Sequence, residues 1–229
     1  MSDSTIAVVG GTGPQGKGLA YRFALTGHPV VVGSRAPGRA RETAASIAER
    51  VGTGVAVTGS DNTTACERAG IVVLAVPYRG YAELLTGLRH ALRSKIVVSC
   101  VNPLGFDRSG PYGLDVPDGS AAEEAQRLLP DARLVGAFHH LSAVELWKHD
   151  ERLHDEDVLV CGDDAEAKQT VMSLGRTVTG RDGLDVGTLR MARQLEPLTA
   201  VLISVNKRYR VRSGVRLTGL DVRRPTAGV

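Results

Sequence analysis

Three features of the chain predict an α/β fold, a Rossmann-like doubly wound parallel sheet with a smaller C-terminal α+β domain. Short apolar runs alternate with helical spacing through the first 145 residues, which implies βαβ units and right-handed crossovers. The first run, Ile6-Ala7-Val8-Val9, leads into Gly10-Gly11-Thr12-Gly13-Pro14-Gln15-Gly16 and then a stretch with helical spacing. A later run, Ile71-Val72-Val73-Leu74-Ala75-Val76, is apolar almost throughout, as a parallel strand covered on both faces has to be.

Residues 5–9 are the first strand and 14–27 its helix, closed by Gly27. Between them Gly11, Gly13 and Gly16 form G-x-G-x-x-G, with the strand before and helix after that give the motif meaning. The first glycine is expected to make a tight turn, the second to let the backbone approach a pyrophosphate, the third to pack helix on strand. The helix start offers free N–H groups and a positive dipole end to phosphates.

Residues 29–33 are the second strand, and it ends in Gly33-Ser34-Arg35. A site for NAD usually places a carboxylate here to hold the ribose 2′-hydroxyl, and a carboxylate would repel a 2′-phosphate. This chain has a hydroxyl and a guanidinium instead, with Arg39 a helical turn further on. The planar donor fork of arginine suits phosphate, and Thr12 offers a further hydroxyl from the glycine turn. The expected cofactor is therefore NADP(H). The competing explanation is that Ser34 and Arg35 cap a helix and meet solvent.

Pro37 opens a helix to Val51 that ends at Gly52, and 55–57 is a short strand. Ser60-Asp61-Asn62 supplies caps for a brief helix to Arg68. The strand at 71–76 stops at Pro77, a helix runs from 81 to 92, and 96–99 is the fifth strand. Ligands of such sheets bind at the carboxyl ends of the strands. Residues 10–15, 34–35, 76–78 and 100–102 are thus expected to line one cleft. Val76-Pro77-Tyr78 suits the nicotinamide side, because proline has no N–H and an apolar wall suits a neutral ring; the same proline also ends the strand.

Residues 102–119 are rich in glycine and proline and read as a long loop, of the kind that is functional or mobile. Ser120 caps a helix through Leu129, and 132–138 is a sixth strand that delivers His139-His140-Leu141-Ser142-Ala143 to the same sheet edge. The nucleotide-binding domain is expected to span 1–145, a smaller domain 146–220, and a flexible tail 221–229. In the smaller domain 158–164 is a strand, and 165–177 a helix capped by Asp163 or Asp164. A last helix covers 188–209, with Pro197 near its middle and Leu195, Leu198, Val201, Leu202 and Val205 on one apolar face. Such a face suits a two-fold interface, so a homodimer is expected.

Composition excludes several classes. The 229 residues are 42% hydrophobic, enough for a sizeable core. A net charge of +3 and 4% aromatic residues argue against a nucleic-acid partner. No apolar run approaches a membrane span, and residues 1–5 carry no leader-like pattern. Cys66, Cys100 and Cys161 are widely spaced and form no C-x-x-C, so reduced thiols and a cytoplasmic location are expected.

The segments Gly10-Gly11-Thr12-Gly13, Val32-Gly33-Ser34-Arg35, Val160-Cys161-Gly162-Asp163-Asp164, Val171-Met172-Ser173-Leu174 and Gly214-Val215-Arg216-Leu217-Thr218-Gly219-Leu220 together resemble one family. It is that of the NADPH-dependent F420 reductases, the coenzyme F420:NADP oxidoreductases of archaea and actinobacteria. The resemblance covers nearly the whole chain except its last ten or so residues. It implies hydride transfer between NADPH and an 8-hydroxy-5-deazaflavin. It places Thr12, Gly13, Pro14 and Gln15 at the pyrophosphate and its ribose. Ser34, Arg35 and Arg39 fall at the 2′-phosphate, where the archaeal pattern has Lys at the position of Arg39. Val76, Asn102 and Ala143 fall near the nicotinamide, His139 and Leu141 beside the stacked rings, and the segment around Ser213 against the deazaflavin. The chain departs from the family pattern at Asn102-Pro103-Leu104 and in the loop that follows.

Nicotinamide C4 and deazaflavin C5 carry this chemistry, so the protein has to orient them and exclude water. No essential acid–base pair and no metal are expected. His139 is either a hydrogen-bond donor that orients the cofactors or a structural histidine at a strand end. His149-Asp150-Glu151-Arg152-Leu153-His154-Asp155-Glu156 lacks the i,i+4 histidine pair of a helical metal site and reads as a solvated loop. Lys207, Arg208, Arg210, Arg212 and Arg216 read as a solvated helix end, or as a surface facing the phosphate and oligoglutamate tail of the deazaflavin. Two other functions are compatible with the sequence. A reductase of a small imine or carbonyl would need a placed proton donor, with Lys95 and Lys148 the candidates. A sensor would bind NADPH without turning it over.

Overall fold

The structure is a computed structural model that describes residues 4–52, 54–148 and 153–220. Its first half alternates β1 (Ile6–Val9), α1 (Pro14–Leu25), β2 (Val30–Gly33), α2 (Pro37–Val51), β3 (Val57–Ser60), α3 (Asn62–Glu67), β4 (Ile71–Leu74), α4 (Tyr81–Leu88) and β5 (Ile96–Ser99). A hairpin, β6 (Leu104–Asp107) and β7 (Gly110–Gly113), precedes α5 (Ala121–Leu128), β8 (Arg133–Gly136) and α6 (Ala143–Lys148). Then come β9 (Leu159–Gly162), α7 (Ala165–Thr179), β10 (Leu184–Asp185), a 3-10 turn (Leu189–Met191) and α8 (Ala192–Tyr209).

The main sheet runs β10-β9-β8-β5-β4-β1-β2-β3. From β8 to β3 every pairing is parallel, in a register that lines Val8 up with Val32 and Val73, and Val73 with Val98. Strand alternation then sorts the side chains into two layers. Ile6, Val8, Val30, Val32, Val73 and Val98 pack under Leu19, Phe23 and Ile47 of α1 and α2. Ala7, Val9, Val31, Leu74 and Val97 pack under Ala65, Tyr81, Leu85 and Ala125 of α3, α4 and α5. Burial on both faces is why β4 is uniformly apolar, and the sheet is doubly wound as the sequence predicts. Strand order reverses on either side of β1, between β2 and β4, so the crevice for a ligand opens there.

Several boundaries differ from the sequence reading, each for a physical reason. Strand β3 is 57–60 rather than 55–57. It continues through Gly59, where a Cβ would strike the backbone of Ala40; a glycine that suggests a strand end is here a contact between strand and helix. The helix after β4 stops at Leu88, and 89–95 continues as turns up to Ser94, whose φ is +60°. The sixth parallel strand is only 133–136, because Phe138 at φ +62° turns the chain out of the sheet. The long loop holds a hairpin: Asp107 Oδ1 accepts the N–H groups of Ser109 and Gly110, and Leu104 pairs with Gly113.

The C-terminal segment adds its strands to the same sheet. β9 runs antiparallel to β8, with Gly136 opposite Cys161, and β10 runs parallel to β9. Asp164 is the cap of α7, accepting from Ala167 N at 2.7 Å, while Asp163 accepts from Leu189 N at 3.0 Å. Helix α6, which sequence reading passed over, docks on α1. Gly18 leaves room for Leu146, and the fully buried Arg22 donates to the carbonyls of Leu146 and Glu145 at 2.7 and 2.8 Å. Lys17 and Arg50 stack on the Trp147 ring at 3.7 and 4.9 Å, a pair of cation–π contacts.

All three cysteines are free and buried. Among the described residues no helix is long and apolar enough to cross a membrane. The expectations for His149, Asp150, Glu151, Arg152 and the tail 221–229 lie outside the described residues.

Candidate active site

The carboxyl ends of β1, β2 and β4 open into a cleft of about 890 Å³. Its floor is the glycine turn, and the turn works differently from the expectation. The left-handed residue is Gly10, at φ +79°, whose absent Cβ would strike the carbonyl of Ala75. Gly11 has an ordinary φ and is needed for closeness: a Cβ there would lie 2.8 Å from Val8 O and 2.9 Å from Val32 Cγ1. Gly16 brings α1 onto the turn, since its Cβ would stand 2.5 Å from Gly10 O. Gly13 is the N-cap of α1, with Pro14 next and no side chain covering the free amides. The Gln15 side chain is committed elsewhere, donating to Phe138 O at 3.1 Å, which leaves its backbone N–H for an anion.

At the end of β2, Ser34 is buried and its oxygen accepts the N–H of Ala36 at 3.2 Å. The competing explanation holds only for Arg35, which does meet solvent: Ser34 shapes the turn before α2 but is buried and is not its cap, which is Ala36 without a side-chain bond. The Ser34 O–H remains available to donate. Arg35 and Arg39 line the cleft, are exposed, and have no carboxylate partner among the described residues. Two unpaired guanidinium groups over a turn that presents free amides have the chemistry to hold the phosphates of a nucleotide.

The structure adds lining residues that the sequence reading missed. Asn62, at the start of α3, is buried with its Oδ1 unpartnered against the cleft wall beside Gly33. Arg79 faces the cleft from the start of α4, and Leu84, Gly87 and Leu88 form an apolar wall behind it. A guanidinium two residues past the expected Val76-Pro77 pair carries no motif, so nothing in the sequence singles it out. Val76 and Pro77 line the same cleft. Tyr78 is half-buried beside them, and burial first, then the Glu124 carboxyl, pushes its hydroxyl up to about 12.

Residues 100–102, expected in the same cleft, are not part of its lining: Asn102 is tied instead to the segment after β8 that carries His139, Leu141 and Ala143, and Ser213 follows α8. Asn102 Nδ2 donates to His139 O at 2.9 Å, and Thr199 Oγ1 of α8 donates to the same carbonyl at 3.0 Å. The His139 ring lies inward near Gly136, is 3% exposed, and has no hydrogen-bond partner at either nitrogen. Burial, with His140 beside it, pushes it down to about 3, so the ring is neutral near pH 7. His140 Nε2 bonds Asp157 O at 2.7 Å. Leu141 is in the core, and Ala143 opens α6 with its carbonyl over Gly18. Ser213 lies past α8, with its N–H and hydroxyl both bound to Asn206 Oδ1 at 2.6 and 2.8 Å.

Helix α8 is fixed to this corner by a buried carboxylate. Glu196, 2% exposed, accepts the N–H groups of Ala121 and Ala122 at 2.8 and 3.0 Å and so caps α5 from another helix. Burial pushes Glu196 up to about 7 against the pull of those two donors. The candidate proton donors lie at the wrong edge. Lys95 precedes β5, on its amino side, and its ammonium is bound to the carbonyls of Ala69 and Glu67. Lys148 is exposed beside the end of α2, where its carbonyl accepts from Arg50.

Comparison with known proteins gives a consistent result. Residues 5–103 match the family described as NADP oxidoreductase coenzyme F420-dependent. An F420-dependent NADP reductase of Methanothermobacter thermautotrophicus is 37% identical over 221 residues, spanning 94% of this chain and 95% of that one. Its counterpart in Methanocaldococcus jannaschii is 35% identical, over 95% and 99% of the two chains. A crystal structure from Arthrobacter sp. FB24, assigned provisionally as an F420-dependent NADP reductase, superposes with a TM-score of 0.78 at 27% identity, covering 93% of this chain and 98% of that one.

Proposed function

The chain belongs to the coenzyme F420-dependent NADP oxidoreductase family, and on that premise we propose how its residues divide the work of moving a hydride between NADP(H) and F420. The nicotinamide and the deazaflavin supply the hydride chemistry, from C4 to C5 or back. What remains for the protein is to bind, orient and exclude water.

NADP(H) is held along the cleft. The pyrophosphate lies on the turn Thr12-Gly13-Pro14-Gln15, where the backbone N–H groups of Thr12, Gln15 and Gly16 are open; that of Gly13 is given to Gly10 O, and Pro14 has none. Ser34, Arg35 and Arg39 take the 2′-phosphate. Arg79 adds a third cation from the opposite wall, and Asn62 an acceptor for the adenosine end. Val76 and Pro77 make the dry wall beside the nicotinamide. We assign the deazaflavin to the side of Asn102 and the 139–143 segment, with His139, Leu141 and Ala143 behind it and Ser213 contributed from beyond α8. Residues 1–145 thus carry the nucleotide and 146–220 close over its partner. His139 positions rather than transfers protons: a ring pushed down to about 3 does not titrate near neutrality. The second half of α8, with Val201 56% exposed, supports a homodimer built on that face, and a cytoplasmic location suits three buried reduced thiols.

One observation carries the nucleotide assignment: Arg35 and Arg39 stand unpaired over a glycine turn in a single cleft. The reaction is tested with NADPH deuterated at C4. One of the two stereoisomeric labels should appear at C5 of the reduced deazaflavin, and no label from solvent. Label from solvent at C5 would mean that a protein acid delivers the proton there and that hydride transfer is not direct.

A further inference from the structure

Four cations fall within six residues at the end of α8: Lys207, Arg208, Arg210 and Arg212. All are exposed, and among the described residues none has a carboxylate partner. The helix accounts for two of them. Lys207 and Arg208 lie in its last turn, where the carbonyl end of the dipole favours positive charge. Arg210 and Arg212 lie beyond that turn. Arg210 takes a left-handed conformation at φ +56°, which a non-glycine residue adopts only where its surroundings impose it. The imposed element is the turn closed by Asn206, whose Oδ1 accepts both the N–H and the hydroxyl of Ser213. Residues 206–213 form a knuckle that concentrates guanidinium groups without a counter-charge.

The knuckle is tied to the deazaflavin corner at both ends. Before it, Thr199 of α8 holds the carbonyl of His139. After it, Val215 O accepts from Asp157 N, and Leu217 N donates to Asp157 Oδ2, both at 2.8 Å. The carbonyl of that same Asp157 bonds His140. Arg210 follows Thr199 by eleven residues of helix, about 16 Å along the axis. The NADP side of the site has its own cations at Arg35 and Arg39, so the knuckle is left for a second anion.

We propose that Arg208, Arg210 and Arg212 form a subsite for the anionic tail of the deazaflavin, its phosphate and γ-linked glutamates. The proposal rests on the placement of the deazaflavin ring at the His139 corner. An arginine fork suits both phosphate and carboxylate. A flexible polyanion leaving the ring corner reaches over this distance and relieves the repulsion among the three guanidinium groups. Because the groups are exposed, the attraction is screened by salt.

The test compares F420 with its tail-less analogue, which keeps the deazaflavin ring and ribityl chain but has no phosphate or glutamate. Binding is read by fluorescence titration of each, and turnover by KM and kcat with NADPH. Wild type should bind F420 about tenfold more tightly than the analogue at low salt, the effect of one charge-assisted hydrogen bond, and the gap should close as salt rises. Arg210→Glu with Arg212→Glu should weaken F420 binding by about tenfold or more and remove its salt dependence. The same variant should leave the analogue's Kd, the kcat and the KM for NADPH unchanged. Arg210→Gln with Arg212→Gln should fall between the two. Equal Kd values of the two deazaflavins for wild type, or equal loss for both in the charge-reversal variant, would overturn the subsite alone. Failure of wild type to reduce either one would overturn the reading of the reaction, and the subsite with it.

Discussion

The two sides of the site are built by different means. The side we assign to NADP is mounted on strand ends: β1, β2 and β4 are fully buried over four residues each, and the turns leaving them are set by backbone contacts a few atoms long. The side we assign to the deazaflavin is assembled from pieces far apart in sequence. Asn102, Thr199 and Asp157 all converge on the 139–140 corner through single hydrogen bonds, spanning 37, 60 and 17 residues. A strand-mounted site is precise because its supports cannot move without breaking the sheet. A site closed by loops and a helix end can admit a large partner and release it. Two substrates that must bind and leave in one turnover fit this division.

Substitutions should separate the two sides. The largest effect belongs to the rigid one. Gly10→Ala forces a Cβ toward Ala75 O at φ +79° and should cost roughly 3 kcal/mol of stability, with NADPH affinity lost; thermal melting and an NADPH titration check it. A variant that melts like wild type would show the turn to be slack. Next, Glu196→Ala strips two amides of α5 of their acceptor, leaving Ser120 as its cap, and loosens α8 on the other side. A loss of roughly 2 kcal/mol is expected, with KM for F420 rising while KM for NADPH stays near wild type. Equal changes in both KM values would mean that the two sides are not separable.

The smallest effects are in pH dependence. Glu156 lies against Gly214 in the closing segment, and burial, with Glu145 nearby, pushes it up to about 7. Its folded pKa is above its unfolded one, so the native state holds the extra proton between about pH 4.5 and 7. Stability should therefore fall as pH rises through that window. Glu156→Gln should be more stable than wild type by about 1 kcal/mol above pH 7, after allowance for solvent screening, and alike below pH 4.5; denaturant melts at pH 4.5 and 8 read the difference. His139 works in the opposite direction. Its folded pKa is depressed, so the stability it contributes is present above about 6.5 and is lost as pH falls toward 3. Between pH 5.5 and 8 its protonation does not change in the fold, and kcat should show no inflection there that His139→Gln removes.

The same contrast explains what the sequence reveals. On the NADP side the information is local. A glycine motif between strand and helix, a hydroxyl and two arginines after β2, and an apolar β4 each point to the cleft they form. Thr12, Gly13, Ser34, Arg35, Arg39 and Val76 all line it. Even there, the turn residue is Gly10 rather than Gly11, because φ is decided by where Ala75 passes and not by the motif's spacing. On the other side the information is distant. Glu196 caps a helix 75 residues away, and no spacing rule registers that. The antiparallel β9 depends on which edge of the sheet is free, and the β6–β7 hairpin hides among glycines and prolines that resemble a plain loop. His139 was legible as a residue at a strand end, but the direction of its ring was not.

The measurement that tests the central claim most directly is the cofactor preference of the reaction itself. Deazaflavin bleaching would be followed with NADPH and with NADH, in wild type and in Arg35→Ala with Arg39→Ala. Wild type should strongly prefer NADPH, and the variant should lose that preference through a KM for NADPH raised about a hundredfold, with NADH turnover unchanged. A wild type indifferent to the 2′-phosphate, or a variant that keeps its preference, would contradict the strand-end placement of NADP.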